Sequence, residues 1–174
     1  ALADPESHAI ANVKNTTIGD LLGYVKESFS MLRHHAKLVI SSAAIGTMIG
    51  AIPGTGEDIA SWVAYDSARR ASKEKEKFGH GSWEGLIASE TANNACTSGV
   101  FIPMLTLGIP GDGATAIMMG AFMVQGLQPG PLLFTEHASS VYQIFIGLLL
   151  ANVVMGIFGF SLIRLFVKVI NVPK

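Results

Sequence analysis

The sequence predicts an all-α membrane protein in which transmembrane helices are combined with re-entrant or broken helices. Apolar residues make up 49% of the 174 residues and only 14% are charged, against about a quarter in an ordinary soluble domain. Residues 141–163 form a charge-free apolar run that is long enough to cross a bilayer. Two further apolar runs are each interrupted by a similar motif, IPGTG at residues 52–56 and IPGDG at residues 109–113.

The second interruption contains residues that end one helix and begin another. Pro110 has no backbone N–H to donate, and it disfavours the α conformation at Ile109. Asp112 is a favourable N-cap, so we expect a new helix to begin beside it. The motif at residues 52–56 shares all but one of its residues with the motif at residues 109–113. Internal repeats that carry broken helices are typical of secondary transporters.

Residues 1–37 are predicted to form a linker followed by an amphipathic helix at the membrane interface. Between residues 17 and 37 the apolar residues recur at helical spacing, and Thr17 with Asp20 resembles a capping box. The polar side of this helix is basic, which suits a helix that lies on a membrane surface. A helix packed on a soluble neighbour fits the segment equally well. The chain begins without Met, and we expect it to be a piece of a longer protein.

Residues 38–68 are predicted to form a re-entrant hairpin whose tip is the break at residues 53–56. At about 1.5 Å per residue, the apolar run before the break reaches only about 22 Å, short of the roughly 30 Å hydrocarbon core. Lys37 precedes the hairpin and a basic stretch at residues 69–77 follows it. The positive-inside rule therefore places both ends of the hairpin in the cytoplasm.

The second half of the chain is predicted to contain further helices. A helix over residues 84–94 is followed by an apolar run at residues 95–109, which Pro103 is expected to kink. Another helix is expected after the second break, at residues 114–127. The run at residues 141–163 is followed directly by basic residues, so its C-terminal end is predicted to be cytoplasmic and its N-terminal end periplasmic.

Neutral polar residues and freed backbone groups around the breaks form the candidate substrate or ion site. Freed N–H groups at a helix N-terminus suit a carboxylate, and freed carbonyls at the opposite half-helix ends suit Na⁺. For each hydroxyl taken alone, a hydrogen bond to its own helix backbone is an alternative. We predict that the two breaks meet in space, with a turn at residues 93–94 nearby. The candidate residues are Gly54, Thr55, Gly56, Asn93, Asn94, Thr97, Ser98, Gly111, Asp112, Gly113 and Thr115.

Several classes of function find no support in the sequence. It contains no Walker motif, HExxH or GxSxG, so no enzyme and no catalytic residue is expected. The single cysteine, Cys96, excludes an internal disulfide and a cysteine-based metal cluster. A net charge of −1 gives no electrostatic case for nucleic acid. We therefore expect no cofactor and no metal, apart from a coupling Na⁺ or H⁺.

Six short motifs together give the chain a specific resemblance. The strongest similarity covers residues 46–134, and its combination of motifs resembles the large membrane subunit of the tripartite tricarboxylate transporters, the TctA family. Because that subunit is far longer, the chain is similar to part of its second half. The motifs, besides IPGTG, are AYDSARR at 64–70, FGHGS at 78–82, ETANN at 90–94, LTLGIPG at 105–111 and GLQPGPLLF at 126–134.

The resemblance implies a multi-pass permease of the bacterial inner membrane. Such a subunit would act with a periplasmic solute-binding protein and a small membrane subunit, and would use an ion gradient to import tricarboxylates or related carboxylates. Residues 38–174 would then be a transmembrane region, a partial permease domain with an internal IPGxG repeat. No nucleic-acid partner is implied.

Three acids depart from the commoner pattern of the family. Glu57 and Asp58 stand where small residues are frequent in the family, and Asp112 stands where Ser is frequent. These differences argue against citrate itself as the substrate. The electrostatics of a helix N-terminus explain Glu57 and Asp58 better than cation binding does. Two other functions stay open, a membrane scaffold without a transport path and a soluble helical enzyme with a Gly-rich phosphate loop.

Overall fold

The computed structural model describes residues 18–170, with side chains described for residues 23–159, 161 and 162. The predicted capping box at Thr17 lies outside the described residues. Every regular element in the described part of the chain is helical, which confirms the all-α prediction. The described residues group into two units, one of residues 29–141 and one of residues 18–28 with 142–170.

Eight α-helices and one 3-10 turn make up the regular structure within residues 18–170. The first four residues of each IPGxG motif lie in a non-helical segment, between α2 and α3 and between α5 and α6, and the last glycine begins the next helix, so the predicted helix interruptions are present. The helices are α1 Ile18–His34, α2 Ala36–Gly50, α3 Gly56–Ala71, α4 Trp83–Gly99, α5 Phe101–Leu107, α6 Gly113–Val124, α7 Leu133–Glu136 and α8 Ala138–Ile170, with the 3-10 turn at Lys75–Lys77.

Helices α2 and α4 pack closely through small residues. A Cβ atom added at Gly46 would overlap the backbone of Ala92, and one added at Gly50 would overlap the backbone of Cys96. The contact is reciprocal, because a Cβ atom at Gly99 would lie 2.6 Å from the carbonyl oxygen of Thr47. Close backbone approach through small residues is the usual way in which helices associate in membranes. The order of these contacts makes α2 and α4 parallel.

Helix α3 runs antiparallel to α4 and completes a three-helix bundle. The hydroxyl of Ser61 donates to the carbonyl oxygen of Ser89 at 3.4 Å, and the ring of Tyr65 lies where a Cβ atom of Gly85 would stand. One face of α3 is buried through alanines, among them Ala64, which is 1% exposed. The bundle places the break between α2 and α3 at one end and the charged loop after α3 at the other.

The predicted hairpin at residues 38–68 is found as a helical hairpin. A cleft lined by Lys37 at the start of α2 and Ala71 at the end of α3 shows that the two limbs return to the same end. Because Gly50 ends α2 and Gly56 begins α3, the non-helical tip is short. Its depth in a membrane and the side to which it opens stay predictions.

One prediction about α4 is wrong, and the predicted effect of Pro103 is present. Asn93 and Asn94 lie within the continuous helix α4 and do not form a turn. The helical run is interrupted by Pro103, as predicted, and the interruption falls at Val100, three residues before the proline. Pro103 lacks the N–H that would bond the carbonyl of Gly99 in a continuous helix, and its ring would clash with that carbonyl. The chain therefore begins a new helix, α5, and holds Pro103 in its first turn.

Helix α6 is shorter than the helix predicted at residues 114–127. Gly126 has a φ of 80°, and the N–H of Leu127 donates to the carbonyl oxygen of Phe122 at 2.9 Å. A left-handed glycine after the last turn is a common end of an α-helix, because it lets the chain turn back and bond the last carbonyls.

Helix α8 contains the predicted transmembrane run. Its segment Ala138–Gly159 has a mean hydropathy of 2.1 and is long and apolar enough to cross a membrane. Within residues 18–170 it is the one helix that meets both criteria, since the apolar helices Ala36–Gly50 and Gly113–Val124 are shorter. A multi-pass topology therefore stays a prediction.

Candidate functional site at the two helix breaks

The two breaks are joined directly by their backbones. The N–H of Gly54 donates to the carbonyl oxygen of Gly111 at 2.8 Å. Gly54 has a φ of 83°, a conformation that a residue with a Cβ atom adopts only with strain. The predicted proximity of the breaks is therefore confirmed by a hydrogen bond between residues that are distant in sequence.

Thr55 shapes the first break with its hydroxyl group. Its Oγ1 atom donates to the carbonyl oxygen of Ile49 at 2.6 Å and of Ile52 at 2.8 Å. The last carbonyls of a helix have no partner within it, so this hydroxyl replaces a missing backbone donor. Thr55 thus holds the end of α2, as in the alternative in which hydroxyls bond their own backbone. Helix α3 then begins at Gly56, with a φ of 72°.

The second break ends in a capping box, as the predicted N-cap at Asp112 requires. The carboxylate of Asp112 accepts hydrogen bonds from the backbone N–H and the hydroxyl of Thr115, both at 2.7 Å. In return, the N–H of Asp112 donates to the Thr115 hydroxyl at 3.0 Å. Thr115 is 2% exposed, so this box is enclosed. The carboxylate also compensates the positive N-terminal end of the α6 dipole.

Gly111 lets the second break lie against the junction of α4 and α5. A Cβ atom at Gly111 would stand 2.9 Å from both Cβ and Cγ1 of Val100, which is 2% exposed. At Gly113, by contrast, an added Cβ atom would meet open space. Gly111 is therefore required by packing, whereas Gly113 stands at an open helix start.

A third segment folds back onto the second break, and sequence reasoning missed it. The N–H of Gly130 donates to the carbonyl oxygen of Leu105 at 3.1 Å. Gly108 has a φ of 69°, and a Cβ atom there would lie 2.8 Å from the carbonyl oxygen of Pro129. The motif at residues 126–134 was the available signal, but the sequence alone assigned its prolines only to the end of a helix.

The four polar candidates on α4 point in two directions. Asn93 and Thr97 are one helical turn apart, as are Asn94 and Ser98, and the two pairs are separated by about 100° around the helix. The Thr97 hydroxyl donates to the Asn93 carbonyl at 3.3 Å, and the Asn94 amide donates to the Glu90 carbonyl at 2.9 Å. Asn93 is half-buried, whereas the other three are exposed. The structure therefore does not bring all four to the breaks as one set.

Glu57 lies at the level of Asn93. Ser61 contacts Ser89 between antiparallel helices, so one turn along each helix brings Glu57 beside the turn that contains Asn93. Glu57 directly follows the first break and Asp112 lies in the second, and a backbone hydrogen bond joins the breaks, so the two carboxylates stand at the same end of the bundle. Within the described residues, no group of three or more His, Cys, Asp or Glu side chains is arranged to hold a metal ion.

Charge is separated along the bundle of residues 29–141. Glu57 and Asp58 stand in the first turn of α3 and Asp112 stands at the second break, all at the break end. The basic residues that end α3, Arg69 and Arg70, lie at the opposite end. The break end is therefore negatively charged, although freed backbone N–H groups alone would have favoured an anion there.

Comparison with known proteins gives one family and two curated relatives. The model of the tripartite tricarboxylate transporter TctA family matches residues 3–174. An uncharacterized 52.8 kDa protein of the TAR-I ttuC' 3' region of Agrobacterium vitis is 38% identical over 135 residues, covering 78% of this chain and 27% of the relative. An uncharacterized protein of the TAR-II ttuC' 3' region of the same organism is 38% identical over 128 residues, covering 74% and 53%.

No solved structure matches the chain. The chain spans only 27% and 53% of the length of these two relatives. The family model, however, covers nearly every residue, including both breaks and the loop that folds onto them. The chain belongs to the tripartite tricarboxylate transporter TctA family, which is a family of transporters.

Proposed function

We propose that this chain forms part of the permease subunit of a secondary active transporter in the bacterial inner membrane. The transporter would import tricarboxylates or related carboxylates and would be driven by an ion gradient of Na⁺ or H⁺. Membership of the TctA family supports this proposal. The apolar helix Ala138–Gly159, of membrane-spanning length and composition, supports the membrane location.

The partners proposed for the chain follow from the same family. A tripartite system needs two further components, and we assign these to a periplasmic solute-binding protein and a small membrane subunit. The separation of charge within the bundle suggests how the bundle is oriented in the membrane. Because basic ends face the cytoplasm, the end that carries Arg69 and Arg70 would be cytoplasmic, and the break end would point toward the membrane interior.

The joined breaks would form part of the path that the substrate follows. The hydrogen bond between Gly54 and Gly111 is the observation that carries this proposal. At membrane depth, non-helical backbone is tolerated only where it is buried in protein or lines a cavity, and two breaks that meet can share one cavity. Isolated breaks facing lipid would each leave backbone groups unpaired, at a cost of several kcal/mol per group.

The candidate residues divide into two roles in this proposal. Residues that hold the breaks in shape include Thr55, Asp112 and Thr115, because their polar groups already bond locally. Residues that remain open to a ligand include Asn93 and the backbone at the start of α3 and α6. The carboxylate of Glu57 lies beside them and would repel a carboxylate substrate. We therefore expect the coupling ion to neutralise part of the substrate's charge when it binds.

Uptake of labelled carboxylates tests the proposal. Membrane vesicles that contain the full-length protein and its partner subunits should accumulate labelled tricarboxylate when an inward ion gradient is imposed, and should not accumulate it without the gradient. A scaffold without a transport path would give no gradient-dependent uptake. A soluble enzyme would remain in the supernatant when the membranes are sedimented without detergent.

The adjacent residues Asn93 and Asn94 provide a matched pair of variants for the same assay. We expect Asn93→Leu to lower the rate of uptake about tenfold, because a half-buried amide at the level of Glu57 is lost. Asn94→Leu lies on a different face of α4 and replaces an exposed side chain. It should change the rate less than about twofold, because surface substitutions usually have small effects. Equal effects of both variants on the rate of uptake would contradict the proposal that the Asn93 face of α4, and not the Asn94 face, contacts the substrate.

A further inference from the structure

Two grooves share one wall at the basic end of the bundle, away from the helix breaks. The first groove has a volume of about 520 Å³ and a largely apolar lining. The second has a volume of about 490 Å³ and a lining that is half polar. Gly81, Ser82 and Trp83 line both grooves. An apolar groove that continues into a polar cleft has the shape of a site for an amphiphile.

The apolar groove has a packed floor formed by aromatic residues. Tyr65 lies edge to face against Phe78, with ring centroids 5.2 Å apart, and Phe78 is buried. A Cβ atom at Gly85 would stand 2.7 Å from the Tyr65 ring, so the glycine lets the ring lie over α4. Leu86 continues the lining and is 50% exposed. The groove can therefore accept a hydrocarbon chain that lies along the surface of the bundle.

The polar cleft contains groups of both charges. The ammonium group of Lys77 lies 2.6 Å from a carboxylate oxygen of Glu74. This hydrogen bond raises the pKa of Lys77, so the lysine stays positively charged at neutral pH. Glu84 supplies a second carboxylate, and His35 and His80 complete the set of titratable groups. Among the charged groups of the cleft, one cation, Lys77, faces two carboxylates, Glu74 and Glu84.

Trp83 stands at the boundary between the two grooves. Its side chain is 62% exposed, and it begins α4 directly after the charged loop. Tryptophan is enriched where the hydrocarbon core of a membrane meets the headgroups, because its ring is apolar and its N–H is polar. In a chain of this family, the apolar groove would thus lie at the level of acyl chains and the cleft at the level of headgroups.

We propose that the paired grooves bind a phospholipid whose headgroup carries both a phosphate and a primary ammonium, as in phosphatidylethanolamine. The phosphate would approach Lys77 and His80, and the ammonium would donate to the carboxylates of Glu74 and Glu84. An anionic lipid without an amine would leave these two carboxylates opposed by like charge. A quaternary amine has no N–H to donate. One acyl chain would lie in the apolar groove beside Trp83.

Fluorescence quenching by brominated lipids tests this proposal without any transport assay. A variant of the full-length protein with Trp83 as its only tryptophan is reconstituted with increasing fractions of brominated phosphatidylethanolamine, phosphatidylglycerol or phosphatidylcholine. We expect half-maximal quenching of Trp83 at about a fivefold lower mole fraction of phosphatidylethanolamine than of either other lipid, because only its headgroup carries both a phosphate and an ammonium that can donate to the carboxylates. The matched variant carries its only tryptophan in place of Ile117, which is 78% exposed on α6 and lines neither groove, and it should show no preference.

The carboxylates provide the second arm of the test. Glu84→Gln should reduce the preference of Trp83 for phosphatidylethanolamine to less than about twofold, whereas Glu76→Gln, on the charged loop before α4 and outside the cleft, should leave it unchanged. Equal quenching of Trp83 by all three lipids would overturn the proposal. Stronger quenching by phosphatidylglycerol would overturn it as well, because the site would then select anionic lipid and not the ethanolamine headgroup.

Discussion

The N–H of Gly54 and the carbonyl oxygen of Gly111 lie 2.8 Å apart and join the two breaks through their backbones. Gly111 is in turn packed against Val100 at the junction of α4 and α5. The loop that contains Pro129 and Gly130 closes over the start of the second break. Residues that are widely separated in the sequence thus form one irregular layer at the end of the helical bundle.

The conformation of Gly54 is expected to contribute to stability. Gly54→Ala should lower the free energy of unfolding by about 1 kcal/mol, because a left-handed φ of 83° strains a residue with a Cβ atom. Thermal denaturation in detergent would measure this loss. Gly23→Ala is the matched control, since it replaces a helical glycine with open space around it. A Gly54→Ala variant as stable as the parent would show that the tip relaxes freely.

Close packing of α2 on α4 gives a second prediction. Gly46→Ala should destabilise the protein by about 1–3 kcal/mol, because the new Cβ atom would overlap the backbone of Ala92. Ala normally favours a helix over Gly, so the sign of the effect separates packing from helix propensity. Chemical denaturation in mild detergent would provide the value. An increase in stability would contradict the parallel contact between α2 and α4.

The capping box gives a third prediction. Asp112→Ala should cost about 1 kcal/mol, because the backbone N–H of Thr115 loses its acceptor at the start of α6. Asp112→Asn keeps a side-chain acceptor, and we expect it to cost less than about 0.5 kcal/mol. Thermal unfolding of the three proteins would compare them. If Asn and Ala have the same effect, the charge of Asp112 and not its hydrogen bonds stabilises the helix.

Membrane topology gives a fourth prediction. In a background with Cys96→Ala, single cysteines placed at Lys37 and at Lys75 should both react with a membrane-impermeant reagent only from the cytoplasmic face. Lys37 and Ala71 line one cleft, so the two ends of the hairpin lie together. Labelling from opposite faces would show that α2 and α3 do not form a re-entrant hairpin in the membrane.

The sequence predicted the elements whose signals are local. Pro110 and Asp112 stop one helix and begin another through their own backbone chemistry, and both breaks are found where they were expected. The length and composition of the long apolar run in α8 were sufficient to predict a helix that can cross a membrane. The proximity of the breaks also followed, because the repeated motif and the demands of a membrane interior pointed to a shared cavity.

Features that depend on tertiary contacts could not be predicted in the same way. The amides of Asn93 and Asn94 suggested a turn, but packing on α2 and α3 keeps α4 helical through them. The kink expected from Pro103 is present, but it falls at Val100, because the carbonyl that a proline leaves unpaired lies four residues earlier. The contact of Gly130 with Leu105 had no signal in residue spacing, since it depends on how the loop returns.

A variant at Gly111 tests most directly whether the joined breaks belong to the transport path, as we propose. Gly111→Val would press a side chain into Val100 and separate the second break from its neighbours, whereas Gly120→Ala adds a Cβ atom to open space on α6. The initial rate of gradient-driven uptake of labelled tricarboxylate should therefore be measured in vesicles that carry equal amounts of each full-length variant. We expect a loss of more than about tenfold for Gly111→Val, the effect of at least roughly 1.4 kcal/mol, and a change below about twofold for Gly120→Ala. Uptake by inserted Gly111→Val at the rate of the parent protein would contradict the proposal.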